Sequence, residues 1–113
     1  MATEITNAVW RVEQGERESF TFPVVDNDDT AFPLAGWSVD AKVKDRPGGT
    51  TLYTFPGSAV SVVGNEITLT ITAAASTAWT FTHGWFRVVI ADDDPDDPQK
   101  FRVIAGTLVI DPD

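Results

Sequence analysis

The chain has no cysteine and one histidine. The first absence excludes a disulfide framework and any thiolate metal site. With His83 as the lone imidazole, a histidine-based zinc centre fails on ligand count. No apolar run approaches the roughly 20 residues of a membrane span, and Met1-Ala2-Thr3-Glu4 lacks the basic and apolar regions of a secretory signal. A soluble protein made in the cytoplasm is therefore expected. Positive charge is scarce as well: 8 Lys and Arg stand against 17 Asp and Glu, a net charge of −9. Such a surface repels phosphate backbones, and the cations are expected to be scattered instead of gathered in a patch. Neither nucleic acid nor membrane is expected as a partner. A basic protein partner, or an outward-facing place on a larger particle, suits the charge better.

What is abundant is alternation. Glu66-Ile67-Thr68-Leu69-Thr70-Ile71-Thr72 and Ser38-Val39-Asp40-Ala41-Lys42-Val43-Lys44 alternate polar and apolar residues without a fault. A period of two puts every apolar side chain on one face of a strand, the pattern of a sheet covered on one side by a second layer. With 113 residues, 42% hydrophobic and including 7 Phe and 4 Trp, there is material for one core and no room for a second. The expected fold is all-β, a single domain over residues 1–113: an Ig-like antiparallel β-sandwich of about seven to nine strands with one short helical turn.

The segments follow from turn chemistry. Ile5 to Val12 reads as a strand with Ala8, Trp10 and Val12 on one face, turned by Gln14-Gly15-Glu16. Ser19 to Val24 follows, and Pro23, which cannot donate to a ladder, places it at a sheet edge or ends it there. After the polar loop Asp26 to Thr30, strands are expected at 37–44, 51–55, 59–63 and 66–72, forming a meander with a hairpin at Gly64-Asn65. Ala73 to Ala78 is helix-prone, with Thr72 as N-cap. Gly84 to Ile90, apolar on both faces, reads as a central strand. In the last strand, Phe101 and Val103 have one parity while Leu108 and Ile110 have the other, so a β-bulge is expected near Ala105-Gly106.

Little of this carries chemistry, and no catalytic, cofactor-binding or metal-ligating residue is assigned. His83 lies in a turn with no nucleophile motif near it, so a surface role is preferred to catalysis. The acidic run Asp92 to Pro98 lacks the glycine and distal glutamate of a calcium loop, and is read as a solvated hairpin tip. The same holds for Asp26, Asp28 and Asp29. Trp10, Trp37, Trp79, Trp85 and Tyr53 suit a sugar-stacking surface, but each lies in or beside an apolar-periodic segment, which favours core or inter-subunit packing.

One resemblance runs through most of the chain. Pro33 to Val43 is similar to the opening loop and strand of small β-sandwich modules in tailed-bacteriophage virions. Thr70-Ile71-Thr72 with the helical turn, Gly84 to Val89, and the closing Val103 to Ile110 with its glycine resemble their later strands. The resemblance is to tail, baseplate or capsid accessory proteins. It implies a non-enzymatic structural subunit located in the virion, without cofactor. Its partners would be other virion proteins, in a homo- or hetero-oligomer built by edge-strand and loop contacts. Met1 to Asn7 and the last strand near Ile110 are the expected contact elements, because terminal strands often lie at sheet edges. The alternative reading is a module that binds carbohydrate or another host-surface ligand.

Overall fold

A computed structural model of the chain describes residues 2–92, 96 and 99–112. Two sheets face each other. The larger has the order β1 (Ile5–Glu13), β8 (Lys100–Asp111), β7 (His83–Asp92), β3 (Trp37–Lys44) and β4 (Thr51–Thr54). The smaller has the order β2 (Glu18–Pro23), β6 (Glu66–Ile71) and β5 (Val60–Val63). The fold is an all-β sandwich, and its eight described strands lie within the expected range. Among the described residues all strand pairs are antiparallel but one: β1 runs parallel to β8, because the chain starts and finishes the sheet in the same direction.

Alternation puts the core where the sequence requires it. Trp10, Val12, Ala41, Val43, Phe86, Val88, Ile90, Leu108 and Ile110 from the larger sheet meet Phe22, Ile67, Leu69 and Ile71 from the smaller, all of them buried. Aromatic rings tie the layers together, with Trp10 against Phe20, Phe55 and Phe86 at centroid distances of 5.3, 6.2 and 6.0 Å. Phe32, Trp37 and Phe101 close one end. Tyr53, Trp79 and Phe81 form a second group, joined to the core through Phe55.

The helical turn α1 (Ala73–Thr77) is as short as expected, and Thr72 caps it by accepting a hydrogen bond from the Ala75 N–H. A five-residue helix is unstable alone, and here the β1–β2 turn holds it. Ser76, fully buried, accepts from the Gly15 N–H at 2.9 Å, and the Gln14 side-chain amide donates to the Ser76 and Trp79 carbonyls, both at 3.0 Å.

Several expectations need correction. The middle of the chain is not one meander: β3 pairs with β4 in the larger sheet and β5 with β6 in the smaller, so the chain changes layers at Pro56-Gly57. A 3-10 turn at Gly57–Ala59 makes the crossing and takes Ala59 out of the strand. The bulge in β8 exists, but at Val103. Val88 pairs with Ile104 and Val89 with Arg102, which leaves Val103 as the extra residue. Gly106 has another task. A Cβ there would lie 2.0 Å from the Ala8 carbonyl oxygen, so the glycine lets β1 approach closely. Just before that contact β1 has its own irregularity between Ile5 and Ala8, with Asn7 at φ 60°. Asparagine is among the few residues that tolerate this left-handed conformation.

Edge positions divide in the same way. Pro23 does belong to an edge strand, β2. The last strand does not: β8 lies between β1 and β7, and Ile110 is buried, so its edge cannot serve as a contact element. A parallel first strand has covered it.

Candidate functional site

The residues left over from the core define the surfaces available for contact. On the outward side of the larger sheet, pairing aligns Lys42, Arg87 and Ala105 in one row and Lys44, Trp85 and Thr107 in the next. Arg102 stands opposite Val89, Lys100 opposite Ala91, and Arg11 opposite Val109. Because their neighbours Val43, Phe86, Phe101, Val12 and Ile110 point inward, these side chains share the outer face. Six of the 8 cations, Arg11, Lys42, Lys44, Arg87, Lys100 and Arg102, are thus collected there. The expectation of scattered cations is corrected: wide separation in sequence becomes adjacency across five strands.

This face is a trough. Thr6 and Asn7 of the irregular β1 segment stand on one side, Pro47 and Trp85 on the other, and Ala105, Gly106 and Thr107 form the floor, enclosing about 300 Å³. Ala105 is 6% exposed although it points away from the core. The Arg102 guanidinium lies 5.5 Å from the Trp85 ring centre and is paired with the Glu4 carboxylate. The Arg87 side chain, 15% exposed, donates to the Asp40 carboxylate at 3.2 Å and to the Asp40 carbonyl at 3.3 Å. Lys42 is 3.9 Å from the same carboxylate, and Arg11 is 3.0 Å from Asp111. Among the described residues Lys44 has no ion-pair partner.

A second concavity, of about 510 Å³, lies at the opposite end of β1, lined by Glu13, Gln14, Gly15, Glu16, Asp111 and Pro112. Its walls are acidic. A hydrogen bond with Glu16 and the repulsion of that carboxylate, with smaller effects of burial and Asp111, push the Glu13 carboxyl above its usual range. Elsewhere, burial raises the Tyr53 phenol.

The other candidates are dispersed. His83 is exposed at the start of β7, its Nδ1 3.1 Å from the Thr82 hydroxyl. In the 26–30 loop one Asp26 carboxylate oxygen accepts from the Asp28 and Thr30 N–H groups, which gives that carboxylate a task in shaping the turn. Most of the expected acidic tip (Asp93, Asp94, Pro95, Asp97 and Pro98) lies outside the described residues. Among the described residues no three acidic or histidine side chains gather to hold a metal ion. The tryptophans do not form a shared platform: Trp10 is in the core, Trp37 and Trp79 pack in separate aromatic groups, and Trp85 is on the outer face beside Arg102.

Of the expected contact segment Met1 to Asn7, Met1 lies outside the described residues and the rest is partly committed inside the molecule. The Thr3 N–H donates to the Val25 carbonyl at 2.7 Å, and its hydroxyl to Asn27 at 3.2 Å. Beyond the irregularity, β1 from Ala8 to Glu13 is a sheet edge that pairs with no further strand among the described residues. Val9 on it is 64% exposed. Sequence reasoning missed the outer face because pairing of distant segments creates it; the matching parity of Lys42 and Lys44, and of Trp85 and Arg87, was the available signal. No protein-family model matches this chain, and a search of curated proteins returns no match.

Proposed function

We propose that the chain is a non-enzymatic structural subunit of a tailed-bacteriophage virion, joined to neighbouring tail, baseplate, collar or capsid-surface subunits. The observation that carries this reading is the open edge of β1. An edge strand with free backbone donors and acceptors is a template for sheet extension, and natural proteins shorten, bend or cover such edges unless they are used. The smaller sheet follows that rule, with Pro23 on one edge strand and only four residues in the other. In the larger sheet β4 is equally short, whereas β1 offers six regular residues and an exposed Val9. The resemblance of the 33–43, 70–72, 84–89 and 103–110 segments to virion modules supplies the kind of partner.

The test is mass spectrometry of purified particles of the phage that encodes the chain, with crosslinking. The protein is expected at a stoichiometric copy number, crosslinked to another virion protein through residues on or beside β1. Its absence from the particle would overturn the reading.

A further inference from the structure

We propose that β1 pairs antiparallel with β1 of a second copy of this chain across a two-fold axis, so that the two larger sheets join into one. The proposal rests on the reading of the β1 edge as a contact surface, and it names the partner that fits that edge.

Backbone direction comes first. Within a strand, alternate residues direct their N–H and C=O to the same side. The Gln14 N–H donates to the Asp111 carbonyl at 2.9 Å, and the Ala8 carbonyl faces Gly106 of β8. Even-numbered residues from 8 to 14 therefore bond to β8, and Val9, Arg11 and Glu13 turn their backbone groups to the open edge. The Glu13 carbonyl accepts from the Glu16 N–H at 3.2 Å within the turn, which leaves it a second lone pair. The other edges a second copy could offer are poorer. Strands β4 and β5 have four residues each, and Pro23 takes an N–H from β2.

Side chains then select the register. A two-fold axis perpendicular to the sheet keeps the core-facing residues of both copies on one side, which allows only shifts of two residues. With Trp10 on the axis, Arg11 lies opposite the second copy's Val9, and Glu13 opposite its irregular Asn7. With Arg11 on the axis two guanidinium groups meet, and like charges directly opposite destabilise a pair. With Val12 on the axis, Arg11 lies opposite the second copy's Glu13 and Glu13 opposite its Arg11. Each of these pairs joins opposite charges and exchanges backbone hydrogen bonds in both directions.

The surroundings suit that third register. Arg11, 3.0 Å from its own Asp111, has a 63% exposed side chain and further donors for a second carboxylate. The concavity of about 510 Å³ at the end of β1 is lined by Glu13, Glu16 and Asp111 and by no cation, and the second copy's Arg11 supplies one. Val9, 64% exposed, comes to the second copy's Gly15 at the rim of the same concavity, where no side chain opposes it. The contact uses one surface twice, so it closes at the dimer.

The experiment is sedimentation velocity of the whole chain over a range of concentrations, with amide hydrogen exchange in dilute and concentrated samples. Wild type is expected to form dimers and nothing larger. The Arg11 and Glu13 amides should exchange quickly in the dilute sample and slowly in the concentrated one, whereas Trp10 and Val12 stay protected in both. Arg11→Glu and Glu13→Arg each set like charges opposite one another, and each should weaken the dimer by at least about tenfold. Mixed, the two variants should form a heterodimer, and the double variant should dimerise again. Unfolding curves separate loss of contact from loss of fold, and the exchange measurement needs no variant. A wild type that is monomeric throughout, a dimer in which the Arg11 and Glu13 amides stay unprotected, or folded variants that show no rescue on mixing would each overturn the proposal. A monomeric chain that crosslinks through β1 to another virion protein would sink this pairing alone. A dimeric chain absent from the particle would sink only the virion reading.

Discussion

Gly106→Ala tests the construction of the larger sheet at its tightest point. The added Cβ would lie 2.0 Å from the Ala8 carbonyl oxygen, 2.6 Å from its carbonyl carbon and 2.9 Å from its Cα. All three are backbone atoms, so no side chain can rotate away. Real Cβ contacts keep to at least 3.0 Å, so β1 has to retreat by about 1 Å. That displacement stretches the β1–β8 hydrogen bonds on both sides of the Ala8–Gly106 pair and lifts Trp10 and Val12 from their core contacts. Overpacking typically costs about 1–3 kcal/mol, and the loss of one or two ladder bonds adds about 1 kcal/mol each. The expected destabilisation is about 2–5 kcal/mol, a large share of the 5–15 kcal/mol that holds a typical domain together. Urea unfolding followed by tryptophan fluorescence measures it. Gly57→Ala is the control, because a Cβ there meets nothing within 4 Å and φ is not positive. It should be neutral or stabilise by up to about 1 kcal/mol. If Gly106→Ala unfolds at the wild-type midpoint, the close approach of β1 to β8 is refuted.

Ser76→Ala removes the acceptor of the Gly15 N–H in a buried site. A loss of about 1–3 kcal/mol is expected in denaturant unfolding, and Ser76→Thr would not restore wild-type stability, since the site is fully enclosed. Trp10→Ala should cost about 3–5 kcal/mol, whereas Trp85→Ala, losing mainly a partly exposed contact with Arg102, should cost about 1 kcal/mol; equal losses by calorimetry would contradict the placement of the two rings. The raised Glu13 carboxyl means that the folded chain holds its proton more firmly than the unfolded chain. The penalty it reports is absent at low pH and develops as pH rises through the folded value, above the ordinary 4.5. Glu16→Gln should therefore stabilise the protein at neutral pH and lose that advantage in acid, as read from unfolding midpoints across a pH series.

The strands were legible because each depends on local alternation. Trp37–Lys44 and Glu66–Ile71 follow from period two alone, and Thr72 with four small residues after it specifies a capped turn. What alternation leaves open is pairing. The phase break in the last strand demanded an extra residue but did not say which, and the glycine that attracted attention serves a neighbouring strand instead. Which terminal strand would form an edge was equally invisible. That depends on the direction in which β1 enters the sheet, a property of the 13–17 turn and of the layer change that follows it. The outer face was hidden for the same reason. Lys44, Trp85 and Thr107 are distant in sequence and become neighbours only when β3, β7 and β8 are placed in register.

The parallel pairing of β1 and β8 also decides how the molecule carries mechanical load. β1 starts at one end of the sandwich and β8 finishes at the other, so tension applied between the two ends pulls these neighbouring strands past each other along their length. Backbone bonds between parallel strands are evenly spaced, and in this geometry those from Ala8 to Glu13 bear the force together. A hairpin pulled open from its free ends would instead break its bonds one at a time. The strand at the open edge of the sheet is thus also the one that locks the domain against being drawn out along its length.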